Sequence, residues 1–444
     1  MEKTEYLSSC AQFLSEFSWI CNSRMTDLLI AGTLDAVPAE WVNHLDKLSG
    51  EELGKVPFGL IKSDWPSSLQ SFVSRAVELG EARFLEPPSE LVAKKTVLPP
   101  AWRQGLTPKK QLELEWLATL VADTCIAVQC GRVLDIGAGL GHLARVLHHR
   151  YGFTVLGIDC DASYLLKAQE HLRHFDCAEN VHYFTLQVDD SAATVEKLRH
   201  LLRNCPDHSP CACGEEYKFV KELTTKNRYV LVSLHGCGQL SPGLMRLFHA
   251  MPELEALVCI GCCYHKAAQL HNYFPLSREL TSLGDRWLSP GTQYQGLRLA
   301  CQELRDSWQP DREPCHLLFR ALLEVACQKY GLPWKKSRRH MARHSLMSSW
   351  DAYREHVMQD VHCQTSERDM WCGILNQLHA RHQHQLSAVR TLTLLRQLLQ
   401  PCWEGMVLGD RACWSGAQLA AAFPSAGSSP RNIALLLARQ PPPH

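Results

Sequence analysis

No stretch of this 444-residue sequence holds the ~18 uninterrupted apolar residues that a membrane-spanning helix requires. Its longest apolar runs, 254–263 and 433–437, are too short and read as buried strands, so no membrane association is expected. Net charge is also missing. Forty-six Lys and Arg are offset by 46 Asp and Glu, a balance that does not argue for a chain coated in nucleic acid and leaves room for a local basic patch. The first residues, Met1-Glu2-Lys3-Thr4-Glu5, lack the apolar core of a secretory signal, and their acidic side chains argue against a mitochondrial transit peptide. Without an oxidising destination, the 20 cysteines are expected to be free thiols that pack as small hydrophobes. The expected compartment is the cytoplasm, with the nucleus allowed. Internal repeats are absent, and only the proline-rich tail 440–444 reads as disordered.

What is present is a chain long enough for two or three domains, 45% apolar and 21% charged, as a large soluble core requires. Residues 1–104 form an N-terminal helical region: Tyr6, Cys10, Phe13, Leu14, Phe17 and Ile20 recur at helical spacing. Prolines 87, 88, 99 and 100 then break the pattern. From about 105 to 284, apolar strand-like runs alternate with helical segments. The runs are 132–136, 153–158, 181–188, 229–234 and 256–260. Such alternation predicts βαβ units and a parallel sheet covered on both faces, an α/β fold of Rossmann-like class. A polar segment at about 203–228 interrupts it between strands three and four and reads as a surface insertion. Residues 285–400 form a helical insertion, and 401–444 return to the core with final strands expected at 404–408 and 432–438.

Chemistry gathers at the strand ends, where open parallel sheets bind ligands. The first strand leads into Asp135-Ile136-Gly137-Ala138-Gly139-Leu140-Gly141, and a helix follows. Glycines there let the backbone approach a nucleotide-like ligand, while the helix N-terminus offers N–H groups. Position 142 is His, so the spacing G-x-G-x-G departs from the dinucleotide fingerprint and disfavours a nicotinamide enzyme. Asp159 closes the second strand, where a carboxylate accepts from ribose hydroxyls. Asp189 and Asp190 follow the third strand; one is expected to cap the next helix and the other to contact the base of the ligand.

Strands four and five lead into Ser233-Leu234-His235-Gly236-Cys237-Gly238 and Gly261-Cys262-Cys263-Tyr264-His265. His235 and His265 have the pKa range of a general base, and Tyr264 can orient an acceptor. Each also has a plain reading as a packed strand-end side chain. Cys237, Cys262, Cys263 and His265 invite a metal reading, but adjacent residues of an extended strand point to opposite faces, which argues against it. The alternative ligand group in the polar insertion, Cys205, His208, Cys211 and Cys213, is read as a loop with free thiols, so no metal is expected.

The glycine turn with its acidic residue resembles motif I of class I methyltransferases. Together with Pro108-Lys109-Lys110-Gln111, the two strand-end motifs, Pro275-Leu276-Ser277 and Ser429-Pro430-Arg431-Asn432, it resembles the methyltransferase-like protein 25 family, also described as ribosomal RNA adenine dimethylase domain-containing proteins. The resemblance implies S-adenosylmethionine as cofactor, held by Asp135, Gly137, Gly139, Gly141, Asp159, Asp189 and Asp190. The strand-end motifs are also similar to those of eukaryotic tRNA 2′-O-methyltransferases, which implies an RNA substrate and catalytic roles for His235, Tyr264 and His265. Two departures stand against parts of this. No closely spaced Cys/His zinc-finger pattern lies near the N-terminus, which counts against tRNA recognition. The Asn/Asp-Pro-Pro-Tyr/Phe of adenine N6 enzymes is replaced by Leu234-His235-Gly236-Cys237. An electropositive route for RNA is sought at Lys335, Lys336, Arg338 and Arg339, with Lys109 and Lys110 as a second patch. Other acceptors, a protein or a small molecule, and a non-catalytic cofactor-binding scaffold remain as alternatives.

Overall fold

A seven-stranded sheet forms the centre of the fold, with strand order β3-β2-β1-β4-β5-β7-β6. The strands are β1 (Arg132–Ile136), β2 (Thr154–Asp159), β3 (Val181–Thr185), β4 (Tyr229–Cys237), β5 (Leu254–Cys262), β6 (Gln418–Ala421) and β7 (Ile433–Ala438). The computed structural model describes residues 3–81, 85–173, 178–214, 223, 227–267, 272–283, 288–302, 313–334, 349–361, 364–424 and 431–439. β1 to β5 run parallel to one another, and β7 is antiparallel to both β5 and β6. An all-parallel six-stranded dinucleotide sheet has no such reversed strand. The sheet is α/β and Rossmann-like, as the alternation of runs predicts.

Both faces of the sheet are covered, which is why its strands read as unbroken apolar runs. On one face Val133, Val155, Val230, Val232 and Val258 pack with Leu117 and Val121 of the helix Pro108–Ala127 and Leu147 of the helix His142–Tyr151. On the other, Leu134, Leu156, Leu231 and Leu257 meet Leu198 of the helix Ala192–Arg203, Leu244 of the helix Leu240–Ala250, and Leu408. Each fully buried Leu or Val contributes roughly 1.5–3 kcal/mol, so the sheet is held firmly enough to present its loops as fixed geometry.

Of the two final strands expected, 432–438 is β7 and the other needs correction. Residues 404–408 are not a strand; they lie inside the 30-residue helix Leu386–Ser415. A five-residue apolar run carries no period of its own, and here Glu404 is buried one helical turn from Gln400, whose amide donates to it at 2.9 Å. The missing strand is β6, only four residues long and with no branched or aromatic side chain to mark it.

The chain divides into two compact units. Residues 1–8, 82–284 and 406–444 make the first, which contains the whole sheet. Residues 9–81 and 285–405 make the second. The N-terminal helical region and the helical insertion, kept apart in the sequence reading, thus largely share a unit. Within it Phe13, Phe17, Trp41 and Phe72 form an aromatic cluster, with Phe17 and Phe72 edge to face at 4.7 Å. Among the described residues no helix is long and apolar enough to cross a membrane.

Candidate active site

The turn after β1 is built for backbone exposure. Gly137, Gly139 and Gly141 all have left-handed φ, at 81°, 54° and 68°. Their neighbourhoods differ. A Cβ at Gly141 would lie 2.6 Å from Cζ of Tyr183, whereas one at Gly139 would find nothing within 4 Å. Gly141 therefore makes room for a buried tyrosine of β3, and Gly139 faces open space at the sheet's C-terminal edge. Asp159, at the end of β2, reaches back to this turn: its Oδ2 accepts from Gly139 N–H at 2.9 Å, and its Oδ1 accepts from Asp161 N–H at 3.0 Å.

Asp135 sits beneath the turn with 2% exposure. Burial raises its carboxyl to about 7, opposed by the charge of Lys110 and reinforced by that of Asp159. Lys110 comes from the first turn of the helix Pro108–Ala127, which Thr107 caps by accepting from Lys110 N–H. Burial lowers the Lys110 ammonium, while Glu113 and Asp135 raise it. One turn on, Glu113 Oε2 lies 3.9 Å from Lys110 Nζ and 3.7 Å from His235 Nε2. Glu113 is 3% exposed at its side chain and His235 48%, so a buried carboxylate stands behind an accessible imidazole. Sequence reasoning missed Glu113 and treated Lys110 only as an RNA contact; helical spacing of three from Lys110 was the available signal.

The two aspartates after β3 separate in role. Asp189 Oδ1 accepts from Ser191 N–H, the Ser191 hydroxyl and the Thr194 hydroxyl, so it braces the N-terminus of the helix Ala192–Arg203. Asp190 pairs with Arg246 at 2.7 Å and accepts from the Tyr273 hydroxyl at 2.9 Å. Both Asp190 oxygens are thus engaged by side chains, whereas the contacts of Asp189 all fall on its Oδ1.

The strand-end motifs start inside β4 and β5, which run on to Cys237 and Cys262, and only their last residues lie beyond the strands. Gly236 registers with Gly261 and Cys237 with Cys262, beyond an irregularity between Ser233 and Gly236. The pairing brings Cys237 Sγ to 2.9 Å from Cys262 Sγ. Cys263 then takes a left-handed φ of 49°, which breaks the extended alternation and places all three thiol sulfurs within 4.8 Å of one another. The argument that adjacent cysteines must face apart fails at this residue. The hydrogen bond from Cys262 lowers the Cys237 thiol to about 6, helped by Lys266 and His235, while Cys262 is raised by the same pairing and by burial.

Tyr264 is buried at 2% exposure, and the Arg411 guanidinium lies 4.9 Å over its ring. Its ring is therefore packed inside the unit rather than presented to an acceptor. Arg411, itself buried, donates to the Ser241 hydroxyl at 3.2 Å. Its neighbour Asp410 accepts from Leu276 N–H and Ser277 N–H at 2.9 and 2.8 Å and so fixes the Pro275-Leu276-Ser277 turn. His265 is half-buried in the short helix Tyr264–Ala267. The basic residues Lys335, Lys336, Arg338 and Arg339 lie outside the described residues.

Residues 109–269 match the family model described as a methyltransferase domain. The chain carries a methyltransferase domain. It is homologous to proteins of Mus musculus and Homo sapiens described as "Probable methyltransferase-like protein 25". Identity to the mouse protein is 24% over 199 residues, 42% of this chain and 32% of that protein. Identity to the human protein is 24% over 216 residues, 46% of this chain and 34% of that protein. The matched segments thus span about a third of the curated relatives' length. Among solved structures, coclaurine N-methyltransferase bound to N-methylheliamine and SAH is 12% identical, with a TM-score of 0.24 over 93% of this chain and 98% of that one. A superposition that loose carries no argument about the site. The matched segment contains the glycine turn, Asp159, the aspartate pair, both strand-end motifs and the Lys110–Glu113 helix start.

Proposed function

We propose that the domain binds S-adenosylmethionine at the glycine turn and transfers its methyl group to RNA. The observation that carries the cofactor assignment is the open space at Gly139, bounded by two further left-handed glycines and by the Asp159 carboxylate. A cradle of bare backbone beside an acidic residue fits a ligand with a ribose and an apolar thioether arm. Each Asp159 oxygen has a second lone pair beyond the backbone N–H it accepts, enough for ribose hydroxyls. Bound there, the cofactor supplies a methyl group on a sulfonium centre, activated for in-line displacement.

The chain's own residues supply position and a proton path. His235 stands at the end of β4, beside the turn's own strand, with the buried Glu113 carboxylate behind it. A carboxylate facing the ring nitrogen at 3.7 Å sets the orientation of the imidazole toward a proton-transfer role. Lys110, held between Glu113 and Asp135, balances the buried acidic charge. The RNA assignment rests on the His-Gly-Cys and Gly-Cys-Cys-Tyr-His motifs and their similarity to tRNA 2′-O-methyltransferase sequences, now seen as one paired strand-end surface.

Calorimetric titration with S-adenosylmethionine and S-adenosylhomocysteine, with NAD as control, tests the cofactor. Saturable binding of the first two that Gly139→Arg abolishes supports it; no binding, or unchanged affinity in the variant, refutes it. Labelled methyl donor with RNA and protein pools tests the acceptor. Label that RNase removes and His235→Ala prevents supports RNA, and label confined to protein overturns that part alone.

A further inference from the structure

The polar insertion between β3 and β4 does more than cross the surface. Its first half, residues 205–214, runs along the N-terminal edge of the sheet, opposite the glycine turn. Arg132, at the start of β1, donates to the Cys205 carbonyl at 3.4 Å and pairs with Asp207 at 2.8 Å. His208 Nδ1 lies 3.1 Å from the Thr154 hydroxyl at the start of β2. Asn180, just before β3, accepts from Ser209 N–H and donates to the Ser209 carbonyl. Gly214 N–H donates to the His149 carbonyl at 3.1 Å, and its Cα is so close to the helix end that a Cβ would lie 2.5 Å from Gly152 N.

These contacts deliver Cys211 and Cys213 to the last turn of the helix His142–Tyr151. There the ligand atoms of His148, Cys211 and Cys213 lie within 4.8 Å of one another. Cys211 Sγ is 3.9 Å from His148 Nε2 and 3.9 Å from His208 Nε2. His148 is fully buried, and its Nδ1 meets the Phe153 carbonyl at 2.8 Å. Only a protonated Nδ1 can make that bond, so the Nε2 lone pair points at the thiols. Fixing a histidine tautomer through a backbone carbonyl is how proteins prepare a metal ligand. The Thr154 hydroxyl, which can donate or accept, orients the His208 ring without fixing its tautomer.

We propose that His148, His208, Cys211 and Cys213 form a structural zinc site. Two thiolates and two imidazoles are a four-ligand zinc set, with no position left open for chemistry. In a tetrahedral site with Zn–S near 2.3 Å and Zn–N near 2.05 Å, sulfur and nitrogen lie about 3.6 Å apart. The two 3.9 Å separations are within a few tenths of an ångström of that value. Cys213 Sγ also lies 3.1 Å from His149 Nδ1, a hydrogen bond that metal binding at Cys213 would replace. The ion would tie the insertion to the helix that follows the glycine turn and so brace the cofactor cradle from its far end. The free-thiol reading of this loop treated its cysteines without the histidines that the helix supplies.

The test is the metal content of the full chain, purified under reducing conditions without chelator. One equivalent of zinc is expected by mass spectrometry, released on thiol blocking by a mercurial. Cys211→Ser and Cys213→Ser should each lose it, and His208→Ala should weaken it while His149→Ala does not. Cys237→Ser and Cys262→Ser, at the other thiol cluster, should retain it. If the serine variants fail to fold, cobalt exchanged into the wild-type protein should show thiolate-to-cobalt charge transfer and intense tetrahedral bands. A folded wild-type protein without metal, with Cys211 and Cys213 open to alkylation, overturns the proposal. Zinc that disappears with Cys237→Ser instead of Cys211→Ser also overturns it.

Discussion

Gly141→Ala and Gly139→Ala should separate the two jobs of the glycine turn. Both positions have left-handed φ, so each alanine bears about 1–2 kcal/mol of backbone cost. At Gly141 the new Cβ also meets Tyr183, whose Cζ would be 2.6 Å away, and Ala168 Cβ at 3.1 Å. Tyr183 cannot yield easily. It is buried, and a Cβ at Gly157 would also lie 2.6 Å from its ring. Overpacking of this kind costs about 1–3 kcal/mol more, so Gly141→Ala should lose about 2–5 kcal/mol in all. Gly139→Ala meets open space and should lose only the backbone part. The assay is urea unfolding followed by circular dichroism, with calorimetric titration of S-adenosylmethionine on the same samples. Gly141→Ala should be the unstable variant, and Gly139→Ala the stable one that binds cofactor poorly. Equal stability of the two variants, or the reverse order, would refute the assignment of Gly141 to packing and Gly139 to the ligand.

Three further outcomes are expected. Asp135 is held near 7 by burial, so between about pH 4 and pH 7 the folded chain keeps a proton that the unfolded chain has lost. Its contribution to stability is therefore full at low pH and declines as pH rises through that window; Asp135→Asn should flatten the decline in urea midpoints, and parallel profiles would show that the carboxyl is not so placed. Cys237 should react with iodoacetamide with a midpoint near 6, and Cys262→Ala should move that midpoint upward by removing the hydrogen bond; an unchanged midpoint would discard the thiol pair as its cause. Asp410→Ala strands the Leu276 and Ser277 N–H groups and should cost about 2–5 kcal/mol, with faster hydrogen exchange at those two amides. Exchange unaltered at both would mean the turn holds without Asp410.

Much of this was readable before any coordinates, and the failures share a cause. The glycine turn, Asp159 and the five parallel strands are local patterns: a period, a spacing, a residue that only one backbone conformation favours. Strand β1 falls at Arg132–Ile136, as its run of apolar residues predicts. What the sequence could not show is which distant segments meet. Glu113 behind His235 joins positions 122 residues apart, and its carboxylate alone gives no hint of the imidazole it faces. The pairing of Cys237 with Cys262 needed the strand register, and the approach of Cys263 needed a left-handed residue that no glycine announced. The same limit explains the two aspartates after β3. Asp189 braces a helix start that Ser191 caps, as its spacing to Ser191 and Thr194 allows, but the partner of Asp190 is Arg246, on the helix after β4, three places from β3 in the sheet.

That distinction bears on where function resides in this domain. The elements legible from local pattern build the cradle proposed for the cofactor, on a fold that serves many enzymes of different substrates. The long-range contacts gather at the ends of β4 and β5, where His235, the paired cysteines and the Arg411–Tyr264 stack meet. Arg411 comes from the end of the helix Leu386–Ser415, so a residue of the C-terminal segment is buried beside Tyr264, next to the proposed acceptor side. Asp410, beside it, holds the turn at Leu276. Substitutions along 406–415 should therefore disturb the proposed acceptor side more than the glycine turn, since the partners named for the Asp159 and Asp135 side chains, which are Gly139, Asp161 and Lys110, come from other segments. Cofactor affinity retained with turnover lost would be the signature of that separation, and a parallel loss of both would show that the two halves of the site are one mechanical unit.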